Sequence, residues 1–179
     1  MKRTGRDKDW PFLTALGVKM VESGDPRGWL HIYDEDRMAD LLARHPVIPF
    51  EAIQARPSLQ MLLDRSSGLG AVLRLERAFW QELSKRRVLE YEHLLRPYLA
   101  AVRKASAGKN LSLQEDHQLR VACAEAHLPP MPLNPEILAG MIESAKTEAL
   151  FGMNPEMASW LPNVIPNFTL LIPGLQSPS

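Results

Sequence analysis

Apolar residues recur along this chain at three- and four-residue spacings, the period of an amphipathic α-helix. Phe12, Leu13, Leu16, Met20 and Val21 make the first such series. Asp9 stands before it as an N-cap, Pro11 falls in the first turn where a missing N–H costs nothing, and Gly24 closes it. SGDPRG, residues 23–28, predicts a turn. A second helix is expected from Asp34 to Ala43, with Met38, Leu41 and Leu42 facing inward. His45-Pro46 stops it, because a residue before proline avoids helical backbone. From Ile48 to Leu63 prolines break the pattern into short helical pieces.

The longest series runs from Gly70 to Lys104. Val72, Leu73, Leu75, Phe79, Trp80, Leu83, Leu89, Leu94, Leu95, Leu99 and Val102 fit one long amphipathic helix or two abutting ones. Pro97 lies inside it, so a kink or break is expected at about Arg96. After a polar turn over Ala105 to Asn110, Ser112-Leu113-Gln114-Glu115 has capping-box form and predicts a helix to about His127. Asn134-Pro135-Glu136 and Asn154-Pro155-Glu156 repeat one start device, N-cap then proline then acid. They predict a helix ending near Gly152, with Ile137, Leu138, Met141, Ile142, Ala145 and Leu150 inward, and a short one ending at Leu161. Beyond it the chain is both proline-rich and apolar (Val164, Ile165, Phe168, Leu170, Leu171, Ile172), too apolar for a free tail. No alternating pattern is long enough to build a sheet. The expected fold is therefore all-α: an irregular multi-helix bundle around a long central helix in residues 1–161. A Pro-rich extended arm, residues 162–179, would pack on this domain or on a neighbouring subunit.

Composition narrows the function classes. At 179 residues the chain is long enough for one domain, and 45% hydrophobic residues suffice for a core. Lys plus Arg equals Asp plus Glu, at 21 each, so no global field favours nucleic acid or an anionic membrane. Charge is uneven locally: acidic residues prevail from Glu22 to Asp64, basic ones from Arg74 to Lys104. A single cysteine, Cys123, excludes an intramolecular disulfide and suits a reducing cytoplasm. The amino-terminal stretch is not expected to act as a signal peptide, because Asp7 and Asp9 interrupt its basic region and Lys19 ends a short apolar run. No apolar stretch approaches the roughly 18 residues a membrane span needs. A cytoplasmic protein without a membrane partner is the expectation.

Candidate chemistry is incomplete wherever it begins. Gly68-Leu69-Gly70 lacks the Lys-Ser/Thr of a phosphate loop and punctuates a helix. Glu90 and His93 have the Glu-x-x-His spacing of a di-metal bundle, but a second motif is missing. Cys123 and His127 lie one turn apart without further ligands, and His31 with Asp34 and Asp36 reads as a polar turn before a helix. No serine nucleophile elbow, kinase signature or His-Glu-x-x-His occurs. We expect no catalytic residues, no metal and no cofactor.

The run Gly5-Arg6-Asp7-Lys8-Asp9-Trp10-Pro11-Phe12-Leu13-Thr14-Ala15-Leu16 resembles a segment of small bacterial nucleotidyltransferase-like proteins of the polymerase-beta type superfamily. There an αβ catalytic core is often followed by an Arg-x-Lys-Asp stretch that opens a helix. GDPRGWLHIYDEDRMADLLARHP looks like the turn and second helix that commonly follow. The resemblance covers Gly5 to about Pro46 and implies that Arg6, Lys8 and Asp9 border a nucleotide site. The family's Gly-Ser followed by paired aspartates is missing, and with it the metal ions that in-line phosphoryl transfer requires.

The leading expectation is therefore a non-catalytic helical interaction domain resembling the region after such a core, with a protein partner or homo-oligomer. One alternative is a nucleic-acid-binding or regulatory protein using Lys85, Arg86, Arg87, Arg96, Arg103 and Lys104. Another is a helical enzyme with an unrecognised pocket, one form of it metal-dependent around Glu90 and His93.

Overall fold

A computed structural model describes residues 7–129 and 133–164 of the chain. Seven α-helices carry the fold: α1 (Trp10–Glu22), α2 (Glu35–Arg44), α3 (Phe50–Ala55), α4 (Ser58–Leu63), α5 (Leu69–Ser106), α6 (Leu113–His127) and α7 (Pro135–Ala149). Short 3-10 segments, Pro26–His31 and Pro155–Trp160, link or finish them. The described residues contain no strand, so the all-α expectation is met.

Most helix starts follow from local chemistry. The Ser112 hydroxyl accepts from the Glu115 amide, and the Glu115 carboxylate accepts from the Ser112 amide at 2.8 Å, a complete capping box. Asn134 caps α7 by accepting from the Ile137 amide at 2.8 Å, and Asp34 caps α2 by accepting from the Arg37 amide at 2.9 Å. Asp9 does not behave this way. It stands before α1 with helical backbone and makes no side-chain cap, because a 3-10 turn over Asp7–Asp9 leads into the helix.

α1 buries Leu13 and Val21 of its expected series, but its inward face is turned away from Phe12 and Leu16. Phe12 and Leu16 are exposed, while Trp10, Leu13, Thr14, Gly17 and Val21 turn inward. The cause is a backbone crossing. A Cβ on Gly17 would stand 2.8 Å from the Gly28 carbonyl oxygen, so α1 and the Pro26–His31 segment touch glycine to glycine. Part of the expected SGDPRG turn is itself this 3-10 segment, capped by Asp25. The Thr14 hydroxyl then accepts from the Tyr33 amide at 3.0 Å and fixes the crossing.

The first part of α5 is the axis of the core. On one side Val72 and Leu73 join Trp29, Ile32, Met38, Leu41 and Leu59 in one apolar cluster. On the other, Leu75, Phe79 and Leu83 meet Ile142, Ala145 and Ala149 of α7, together with Leu161. Between them lies a charged pair with almost no solvent contact: Arg56 is 2% exposed and Glu76 0%. The Arg56 guanidinium donates to both Glu76 oxygens, at 2.6 to 3.1 Å, and to the Trp29 and Ile32 carbonyls at 2.9 and 2.7 Å. Ser58 donates to the other side of Glu76, and the Tyr33 ring lies 4.5 Å from the guanidinium carbon. Burial, the largest influence, pulls the Arg56 pKa down, and the charge of Glu76, the Tyr33 hydroxyl and the Glu76 hydrogen bonds together outweigh it, holding the guanidinium above its ordinary value. With every face of the pair satisfied, it ties the 3-10 segment and the α3–α4 junction to α5.

α5 continues unbroken through Pro97, against the expected break. Pro97 and His93 are both exposed, so the carbonyl left without an amide donor faces water rather than protein. At the other end, α5 has no side-chain cap at Gly68, but the Glu35 carboxylate lies over Gly70 in its first turn. Negative charge there is favourable against the helix dipole. The start of the expected arm is packed: Pro162 is buried, Asn163 donates to the Ala55 and Gln54 carbonyls at 3.0 and 2.6 Å, and Val164 joins the α5–α7 cluster. The remainder of that arm, residues 165–179, lies outside the described residues, as does Arg6.

Candidate functional site

Past Leu83 the character of α5 changes. From Ser84 to Leu128, Val102 alone is buried. α6 runs back along this part of α5 as a helical hairpin, joined to it through Arg120, whose charge is stabilised first by Asp116 on its own helix and then by Tyr98 on α5. Seen at about 100° per residue, the outward face of α5 is an alternating stripe: Lys85, Leu89, Glu92, Arg96, Leu99, Arg103. The spacings are four, three, four, three and four, and all six residues are exposed. Leu89 is 56% exposed and Leu99 42%. Both belong to the series expected to face the core, so the structure corrects their placement. The core leucines of α5 end at Leu83, and Leu89, six residues on, stands about 120° round the helix from it, on a surface. Val88 beside the stripe, and Leu113 and Val121 on α6, are exposed as well.

Sequence-selected basic residues divide between two faces. Lys85, Arg96 and Arg103 share the stripe, and Lys104 is exposed beside it. Arg86 and Arg87 stand about 100° and 200° round the helix from Lys85, and both are half-buried. The Arg86 Nε is enclosed by protein without a hydrogen-bond partner. Lys85 is paired with Glu82 at 3.6 Å. The six cations are thus not one patch, and the three on the stripe alternate with two leucines and a carboxylate.

Two open clefts mark the core. One, of about 650 Å³, lies between α2 and the α4–α5 junction, with Leu42, Pro46 and Leu63 among its walls and Glu35, Arg65 and Ser67 supplying polar groups. Arg65 holds the left-handed backbone conformation (φ 51°) that ends α4. The second, about 310 Å³, has Val21, Trp29, Val47 and His45 among its walls. Lys8 is exposed and Asp9 half-buried at the start of α1, and neither lines either cleft. Glu90 is half-buried and His93 exposed. Among the described residues, no three His, Cys, Asp or Glu side chains converge as a metal site. No described helix is long and apolar enough to cross a membrane.

The sequence reading passed over Arg56, Ser58 and Glu76, because charged residues 20 positions apart carry no spacing signal. Leu89 and Leu99 stand in the apolar series of α5, but nothing local separates leucines that fill a core from leucines that await a partner. Comparison with protein-family models, with curated proteins and with solved structures returns no match for this chain.

Proposed function

We propose that this protein is a helical interaction domain whose working surface is the projecting α5–α6 hairpin, and that its core serves as the mount. The observation that carries this reading is the stripe itself. Leu89 and Leu99 stand exposed in the three-and-four alternation with which helices pack on helices, on a part of α5 that buries little else. Apolar residues in such a row are a recurring mark of partner surfaces. The half-buried free Cys123 of α6 is compatible with a reducing compartment such as the cytoplasm.

Nucleic acid is the less favoured occupant, since a phosphate backbone laid on this face would meet Leu89, Glu92 and Leu99 between the cations. A domain that once followed a nucleotidyltransferase-like core fits the same reading, with the hairpin as the contact it offers.

Replacing Leu89 and Leu99 together by Asp tests the proposal, because neither supports the core. The native chain should form a complex, with itself or with another protein, that the double variant does not form at equal helix content by circular dichroism. A complex retained by the variant, or bound nucleic acid whose affinity falls steeply with salt, would count against it.

A further inference from the structure

The stripe on α5 has an internal symmetry that identifies its occupant. Read outward from position 94, Glu92 is answered by Arg96, Leu89 by Leu99 and Lys85 by Arg103. We infer that a second copy of this chain docks on the hairpin with its α5 antiparallel to the first, about a two-fold axis that crosses the stripe between Glu92 and Arg96. This rests on the interaction reading above and names its partner.

Laid antiparallel in that register, Leu89 of each copy meets Leu99 of the other, and Glu92 of each meets Arg96 of the other. The contact therefore holds two leucine pairs flanking two opposite-charge pairs, the two members of each set being related by the two-fold axis. A two-fold contact requires such self-complementarity, in which residue i meets j and j meets i. The register also matches the layer rule of antiparallel helical packing, where residues from the two alternating positions of the repeat face one another. A parallel arrangement would set Glu92 against Glu92 and Arg96 against Arg96, and like charges in register disfavour it. The six residues span about 27 Å of helix at 1.5 Å per residue, and every one of them is exposed.

The ends carry an unfavourable element: Lys85 of one copy faces Arg103 of the other. Lys85 already has the Glu82 carboxylate at 3.6 Å, which offsets part of that repulsion. A short contact with repelling ends makes a modest, concentration-dependent dimer rather than an obligate one. It should weaken when salt screens the central pairs.

Sedimentation velocity over a concentration series on the full chain tests the inference through charge reversal. The native chain should move from the 20.2 kDa monomer toward twice that mass as concentration rises. E92R and R96E alone each place like charges at both central pairs and should weaken association on the order of ten-fold or more. E92R and R96E combined restore opposite charges in reversed sense and should recover the dimer. A native chain that stays monomeric throughout, or a double reversal as weak as the single changes, overturns the inference. So does a dimer indifferent to all three variants. Should the native chain remain monomeric yet bind another protein that L89D/L99D abolishes, self-pairing falls while the interaction reading stands.

Discussion

The amino-terminal core and the α5–α6 hairpin share one continuous helix but solve different physical problems. In the core, α5 is wrapped on two sides, and Leu75, Glu76 and Phe79 have no solvent exposure. In the hairpin the same helix is covered on one side by α6, which itself buries no residue. A region stabilised by many mutual contacts unfolds as a unit, whereas one with few buried groups and exposed backbone bonds opens locally at lower cost. The contrast teaches where each kind of change should register: core substitutions in global stability, hairpin substitutions in local opening or in association.

Largest of all should be the loss of one member of the buried ion pair. Glu76→Ala leaves Arg56 charged with no carboxylate and should cost about 3–5 kcal/mol, read from the urea midpoint. Replacing both, Arg56→Met with Glu76→Leu, should recover much of that loss, since no unpaired charge then remains in the core. If the single change is nearly silent, the core is not locked by this pair and the contrast fails.

Gly17→Ala comes next. Its methyl group would be driven against the Gly28 carbonyl, and an overpacked contact of this kind costs about 1–3 kcal/mol. Gly140, in the middle of α7, meets nothing within 4 Å of an added Cβ, so Gly140→Ala should instead stabilise by about 0.5–1 kcal/mol. Opposite signs in thermal unfolding would show that a glycine–glycine crossing, not helix propensity, governs α1.

In the hairpin the capping box is the sharpest handle. Ser112→Ala removes a cap worth about 1 kcal/mol and should speed amide exchange in α6 while leaving the protection of α2 unchanged. Acid should act similarly and more weakly. Hydrogen bonds from the Ser112 hydroxyl, then its amide, hold the Glu115 carboxyl below its ordinary value of 4.5. A depressed folded-state pKa means that this contribution is complete above that value and disappears as pH falls through the lower, folded-state one. Protection in α6, taken against the intrinsic exchange rate at each pH, should therefore fall below about pH 4.5 and stay flat above it. The smallest effect on stability belongs to Leu89→Asp, within about 0.5 kcal/mol, although the same change should remove the complex.

Much of this architecture was readable where a signal is local. Ser112 with Glu115, Asn134 with Pro135, and Asp34 before α2 each satisfy backbone groups within a few residues, so their patterns survive without knowledge of the fold. What stayed hidden depends on distant neighbours. Phe12 and Leu16 obey helical spacing, but Gly28 approaches from the opposite face and decides which side of α1 is inside. Pro97 spells a break only if its orphaned carbonyl is enclosed, and here it faces water. Leu89 and Leu99 share the helix of Leu75 and Leu83 but stand about 120° or more round it from Leu83, and only the packing of α7 shows which face of α5 is core. Lys8 and Asp9 show the other limit: they line neither cleft, and nothing in their spacing says what they would border.

The bonds from Asn163 to Gln54 and Ala55 have a consequence for the order of events in folding. They join residues 109 and 108 positions apart, while the capping contacts of α2 and α6 close within three. Helices and their caps form on local timescales, but this closure waits for a long loop and belongs to the slow end of folding. During synthesis, the side of α5 bearing Leu75, Phe79 and Leu83 stays bare until α7 and Leu161 have emerged from the ribosome. In pulse-labelled exchange, α7 should thus gain protection after α2; simultaneous protection would show that the clasp is not what times the final step.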